Sequence, residues 1–154
     1  MTRTRKHRLP AMINVGHKPP SHRTARAQAT VLLPPSVAAH IRDGDIVTRK
    51  GRVFPAAVIA GIMAAKRTSS LIPFCHPISL EDCAVEISLK GKREVRIECR
   101  VEAHDKTGVE MEALTGAAAA ALTVYDMCKG YSQKIEITGI HLVEKKGGKS
   151  DYTR

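Results

Sequence analysis

The sequence predicts an α+β fold, a two-layer sandwich in which a four-stranded antiparallel sheet carries its helices on one face. Two observations predict it. Four segments place apolar residues at every second position, and two or three others carry helical start and stop signals. Successive side chains of a strand point to opposite faces, so each alternating segment offers one apolar face for helices to cover. With 154 residues and no internal repeat, the chain fits one domain with a buried core, assigned to residues 12–154 behind a basic tail at 1–11.

The tail holds Arg3, Arg5, Lys6 and Arg8 with no apolar run after them, and reads as disordered rather than as a secretory leader. The first strand begins near His22, with Ala25, Ala27, Ala29 and Val31 on one face and Arg26, Gln28 and Thr30 on the other. A short helix from about Pro35 to Arg42 follows. A second starts at Pro55, where proline suits the first turn, and runs to about Arg67, with Lys66 and Arg67 well placed at its negative end. Cys83, Val85, Ile87 and Leu89 are the inward set of the second strand, and Val95, Ile97, Cys99, Val101 and Ala103 that of the third. A hairpin around Lys90-Gly91-Lys92 joins them. A two-residue loop would put the two apolar sets on opposite faces; a three-residue loop keeps them together and sets Cys83 opposite Cys99. The longest helix runs from Gly108 to about Lys129, with Thr107 and Glu110 at capping-box spacing and Gly130 as its stop. Its middle, Gly116 to Ala121, is nearly all small and invites close approach, either by its own sheet or by a second copy. Ile135 and Ile137 open the fourth strand, where a phase flip at Gly139 before Ile140 and Leu142 reads as a β-bulge.

Charge narrows the partners. A formal net charge of +10 calls for an anion: nucleic acid, an acidic surface or a small polyphosphate. Aromatics make up 3 % of the chain and tryptophan is absent, which argues against single-strand binding by base stacking. Duplex phosphate binding stays open. No apolar run approaches the roughly 20 residues of a membrane span. Cys75, Cys83, Cys99 and Cys128 show neither a C-x-x-C pair nor zinc-ligand spacing, so reduced thiols in a cytoplasmic protein are expected, with no metal and no cofactor.

Three places offer chemistry. Pro73 and Pro77 stiffen the loop that presents Phe74, Cys75 and His76, which suits a binding site as well as a plain turn. Adjacent side chains of an extended segment point apart, so Cys75 and His76 do not form a nucleophilic pair. On the long helix, Asp126 and Lys129 share a face at i, i+3, fit either for proton transfer or for a surface ion pair. Glu110 and Glu112 lie 14 to 16 residues earlier; Glu112 and Asp126 are thus about 21 Å apart along the axis. One chain cannot bring both to one reaction centre, whereas two antiparallel copies can. Finally, Lys145-Lys146-Gly147-Gly148-Lys149-Ser150 is similar to the end of a P-loop, but Val143 stands where that motif needs glycine and no helix can follow. A flexible basic end able to reach a phosphate and a solvated tail both remain open.

From Met12 to Ser150 the chain resembles the MoaC family of cyclic pyranopterin monophosphate synthases. The resemblance rests on Ala60-Gly61-Ile62-Met63-Ala64-Ala65-Lys66-Arg67-Thr68, Leu71 to Pro77, Thr107 to Thr115, Leu122 to Lys129 and Gly147 to Ser150. It implies a ferredoxin-like domain assembled as a homohexamer, a trimer of dimers, with the active site at the dimer interface. It implies a lyase that converts 3′,8-cyclo-7,8-dihydroguanosine 5′-triphosphate to cyclic pyranopterin monophosphate and diphosphate in molybdenum cofactor biosynthesis, with neither membrane nor nucleic acid as partner. By position Asp126 is the catalytic aspartate and Lys129 its proton-transfer partner. Phe74, Cys75, His76, Met111 and Glu112 fall where the family binds substrate. Arg23, Lys50, Lys66 and Lys145 match basic positions of the pocket, and Glu110 lines it. The chain departs from the family at Asn14, Arg52 and Ser70, where aspartate is usual, at Val58 for arginine, at Phe74 for leucine and at Asp151 for glycine. Two other readings stand beside the enzyme: a basic nucleic-acid-binding module, and a homologue that kept the fold and lost turnover.

Overall fold

The structure, a computed structural model, describes residues 9–154. Its elements run β1 (Ser21–Leu32), α1 (Pro35–Ala38), β2 (Ile41–Arg42), β3 (Asp45–Thr48), β4 (Gly51–Arg52), α2 (Val53–Ala65), α3 (Thr68–Leu71), β5 (Asp82–Lys90), β6 (Glu94–Asp105), α4 (Glu110–Cys128), β7 (Glu136–Lys146) and β8 (Tyr152–Thr153). Of the tail expected at 1–11, residues 1–8 lie outside the described part, and 9–11 carry no regular structure.

The four alternating segments are β1, β5, β6 and β7. Their apolar faces form the core: Ala25, Ala27, Ala29 and Val31 of β1 and Val95, Ile97, Cys99, Val101 and Ala103 of β6 are all buried. Opposite them the sheet carries charge, with Arg26 paired to Glu98 and Arg100 bridging Asp82 and Glu102. The α+β class with antiparallel sheets stands. The four-stranded ferredoxin-like sandwich is corrected: the main sheet has five strands in the order β5-β6-β1-β7-β8, and β2-β3-β4 form a small second sheet. Strands of two to four residues are too short to show a period, which is why these four additions left no mark on the pattern.

Other expectations shift by a residue or two. Lys90 pairs with Glu94, so the three-residue loop is Gly91-Lys92-Arg93, with Gly91 at φ 63°. The parity argument holds while the register moves by two: Cys83 faces Val101, and Cys99 faces Val85. Cys99 is buried and Cys83 half-buried, diagonal to each other on the helix-covered face. The first helix ends at Ala38 rather than near Arg42, because Ile41 and Arg42 turn into β2. β7 is bulged as expected: Gly139, at φ 61°, and Ile140 together oppose Ala29.

The helices share the apolar face of the sheet, α4 lying over β1, β6 and β7 and α2 over β5. The small residues of α4 serve this packing. Ala113, Ala117, Ala120 and Ala121 are fully buried, and Gly61 of α2 meets Gly116 of α4 backbone to backbone: a Cβ on Gly61 would stand 2.9 Å from the Gly116 carbonyl oxygen. The expected capping box does not form. Val109 is the N-cap, with no side-chain bond, so Glu110 stands at the first helical position rather than the third, and its carboxylate is held by Lys145 at 3.0 Å.

Candidate active site

Two clefts open at opposite ends of α4. The first, about 430 Å³, is lined by Thr48, Arg49 and Lys50 from the β3–β4 turn and by Asp126, Met127, Lys129, Gly130 and Tyr131 at the end of the helix. Lys129 occupies the C-cap position, so its chain turns back over the last helical turn to meet Asp126 at 2.7 Å. Lys50 approaches the other carboxylate oxygen at 2.9 Å. Hydrogen bonds from Lys129 and Lys50 hold the Asp126 carboxyl down at about 2, and the carboxylate in turn pushes Lys129 upward. Both groups are therefore charged at neutral pH, and the ammonium of Lys129 is the one with a proton to give.

The second cleft, about 590 Å³, lies at the start of the helix. Phe74, Cys75, His76, Glu110 and Met111 line it, with Thr107, Gly108, Ile72 and the segment that carries Ala11, Ile13, Val15 and Lys18. Beneath it Glu112 is buried, 2 % exposed, with one oxygen 3.8 Å from the Cys75 sulfur and the other without any hydrogen-bond partner. Burial raises the Glu112 carboxyl above its ordinary range; burial first, then Glu112, raises the Cys75 thiol. A thiol that stays protonated is a hydrogen-bond donor here rather than a nucleophile. Lys145 reaches this cleft through Glu110, and Arg23 lies at its rim, bonded to the carbonyls of Asp105 and Lys106.

Within one chain the expected site residues thus divide. Asp126, Lys129 and Lys50 share the first cleft. Phe74, Cys75, His76, Met111, Glu112, Glu110, Lys145 and Arg23 gather at the second. Lys66 joins neither: it lines a third cleft of about 480 Å³ with Ile62, Ser79, Asp82 and Cys83. Arg49 and Tyr131 in the first cleft and Lys18 in the second escaped the sequence reading, since each is a single residue in a loop with no periodic or motif context. Tyr131 is steadied by His40, ring centroids 3.8 Å apart. The basic C-terminal run is no free tail: β8 pairs with β7 and folds it into a hairpin. Among the described residues no three His, Cys, Asp or Glu side chains come together as a metal site, and no helix is long and apolar enough to cross a membrane.

Known proteins resemble the chain along nearly its whole length. The model of the MoaC family matches residues 12–148. A cyclic pyranopterin monophosphate synthase of Xanthomonas oryzae is 49 % identical over 143 residues, 93 % of this chain and 87 % of that protein. A protein of the same name from Pelobacter propionicus is 49 % identical over 93 % of this chain and 89 % of its own length. Molybdenum cofactor biosynthesis protein 1 of Drosophila melanogaster is 50 % identical over 93 % of this chain, which spans 25 % of that longer protein.

Proposed function

The chain belongs to the MoaC family, and from that premise we infer an enzyme of molybdenum cofactor biosynthesis, a cyclic pyranopterin monophosphate synthase. The substrate in this reading is 3′,8-cyclo-7,8-dihydroguanosine 5′-triphosphate, and diphosphate is the second product. The observation that carries the catalytic assignment is the Asp126 carboxylate set between the Lys129 and Lys50 ammonium groups in an open cleft. Lys129 is the general acid in ring opening. Asp126 orients it and keeps it protonated; a carboxyl held at about 2 is too weak a base to lead proton removal near neutrality.

The reacting centre in this proposal is shared by two chains. Asp126 and Glu112 lie at opposite ends of one helix, so the cleft of Cys75, His76 and Glu112 serves the Asp126 cleft of a neighbour across a two-fold axis. Two features support a dimer through the helical layer: Ile59 and Met63 of α2 are 58 % and 48 % exposed, and Leu122 of α4 is 61 % exposed. A hexamer of such dimers and a cytoplasmic setting complete the reading.

Departures from the family leave the Asp126 cleft untouched. Asn14 closes a local turn by accepting the Gly16 N–H at 2.7 Å, Arg52 reaches Asp45 at 3.9 Å, and Asp151 accepts the Gly147 N–H at 3.1 Å. Val58 packs on the core, and Ser70 lies within α3. Phe74 lines the second cleft, where it adds bulk. The deciding experiment is an assay of diphosphate release from the cyclised nucleotide: turnover is expected, and its absence with a folded, assembled protein leaves a homologue that lost activity.

A further inference from the structure

Positive charge without a carboxylate partner collects at one rim of the second cleft. Lys18 lines the cleft, and the Lys106 ammonium bonds to the same segment, 3.3 Å from the Gly16 carbonyl oxygen. Arg23 lies beside Lys106, donating to the carbonyls of Asp105 and Lys106 at 3.4 and 3.5 Å. Neither these three cations nor the exposed Lys149 makes an ion pair among the described residues. Their neighbour Lys145 is already neutralised by Glu110.

The turn at 147–150 is pinned onto this rim. Gly147 has φ 86°, and a Cβ there would run into the His22 carbonyl, so no other residue fits. The Ser21 hydroxyl donates to the Gly147 carbonyl at 2.9 Å, and Asp151 takes the Gly147 N–H. A Cβ on Gly148 would stand 2.9 Å from Arg23 Nη1, so the guanidinium packs directly against the turn. The N–H groups of Gly148, Lys149 and Ser150 have no protein acceptor among the described residues. Successive free N–H groups beside a guanidinium and ammonium groups are the donor set that oxyanions of phosphate require.

We propose that the turn at 147–150, together with Arg23, Lys106 and Lys149, seats the polyphosphate end of the substrate and holds the diphosphate product. The assignment rests on the function proposed above and adds to it three donors, Lys106, Lys149 and the turn backbone, outside the expected basic set. It also explains two glycines in succession: one lets the backbone cross β1, the next leaves room for Arg23.

Titration calorimetry of the full chain with inorganic diphosphate tests it. Arg23→Ala and Lys149→Ala should each weaken diphosphate binding about tenfold or more, the scale of one charge-assisted hydrogen bond. Lys92→Ala, on the β5–β6 loop, should leave it unchanged. Lys149 makes no contact that the fold needs, so its variant keeps the test sound even if loss of Arg23 perturbs β1. Wild-type affinity in both variants overturns the proposal, as does an equal loss in Lys92→Ala, which would mark diffuse attraction to a basic surface. Turnover of the cyclised nucleotide with diphosphate binding indifferent to these changes sinks the cradle and spares the enzyme. Sensitive diphosphate binding without turnover does the reverse.

Discussion

Asp126 stands between two ammonium groups, and its behaviour follows from them. A carboxyl depressed from 3.8 to about 2 favours the folded arrangement above its ordinary value and loses that preference only as pH falls from about 4 toward 2. No acid limb of activity near neutrality should therefore trace to Asp126. In a carbon-detected NMR titration, Lys50→Ala should move this carboxyl up toward 3.8, and an unmoved value would show that Lys50 does not hold it. Asp126→Ala should cut turnover by about 10²–10⁴-fold with an unchanged circular dichroism spectrum; near-normal turnover would reject the assignment. Glu112 behaves in the opposite sense. Its raised carboxyl binds a proton more tightly when folded, so its contribution to stability declines as pH rises from 4.5 through the raised value. Glu112→Gln should melt above the wild type at neutral pH, with the gap closing in acid. At this scale the sequence was informative where residues sat in long familiar blocks, as at Asp126 and Lys129. It was silent on Arg49, Tyr131 and Lys18, which only the folded loops bring to the clefts.

Helix α4 shows how an element can be legible in extent and opaque in purpose. Helical length and the Gly130 stop fixed its span to within two residues, but its small residues alone did not say what they face. The answer is α2 and the sheet. A Cβ on Gly116 would meet the Cys99 sulfur at 2.5 Å, whereas one on Gly61 would meet the Gly116 carbonyl oxygen. Both substitutions to alanine overpack, at a cost of about 1–3 kcal/mol each in denaturant unfolding. They differ in remedy. Cys99→Ala should restore most of the loss in Gly116→Ala, because it removes the obstructing atom, and should not rescue Gly61→Ala, whose obstacle is backbone. Equal rescue of both would mean that the helices move apart instead. The hairpin between β5 and β6 gives a second lesson: parity of the apolar sets selected a three-residue loop, but which three depended on Gly91 adopting positive φ, a choice that alternation cannot register.

At the scale of the whole molecule, membership of the MoaC family over residues 12–148 favours a small-molecule enzyme over a nucleic-acid module as the reading of the net charge of +10, and Arg49, Lys50 and Lys129 bring part of that charge to the first cleft. The division of site residues between the ends of α4 makes the shared centre testable. Asp126→Ala and His76→Ala are each expected to be inactive alone. After subunit exchange, mixed dimers regain one intact site of two, so an equal mixture should recover roughly a quarter of wild-type activity. No recovery, with exchange verified by mass, would place the whole reaction in one chain. The pairing of β1 with β7 carries a further consequence. The central strand, at residues 21–32, finds its second neighbour at 136–146, more than a hundred residues later. On the ribosome, β1 must wait with one edge bare until residues 136–146 have emerged, since such distant pairing is slow and cannot begin early. Nascent chains halted before residue 136 should be the aggregation-prone species in a cell, and chaperone demand should fall once β7 has emerged.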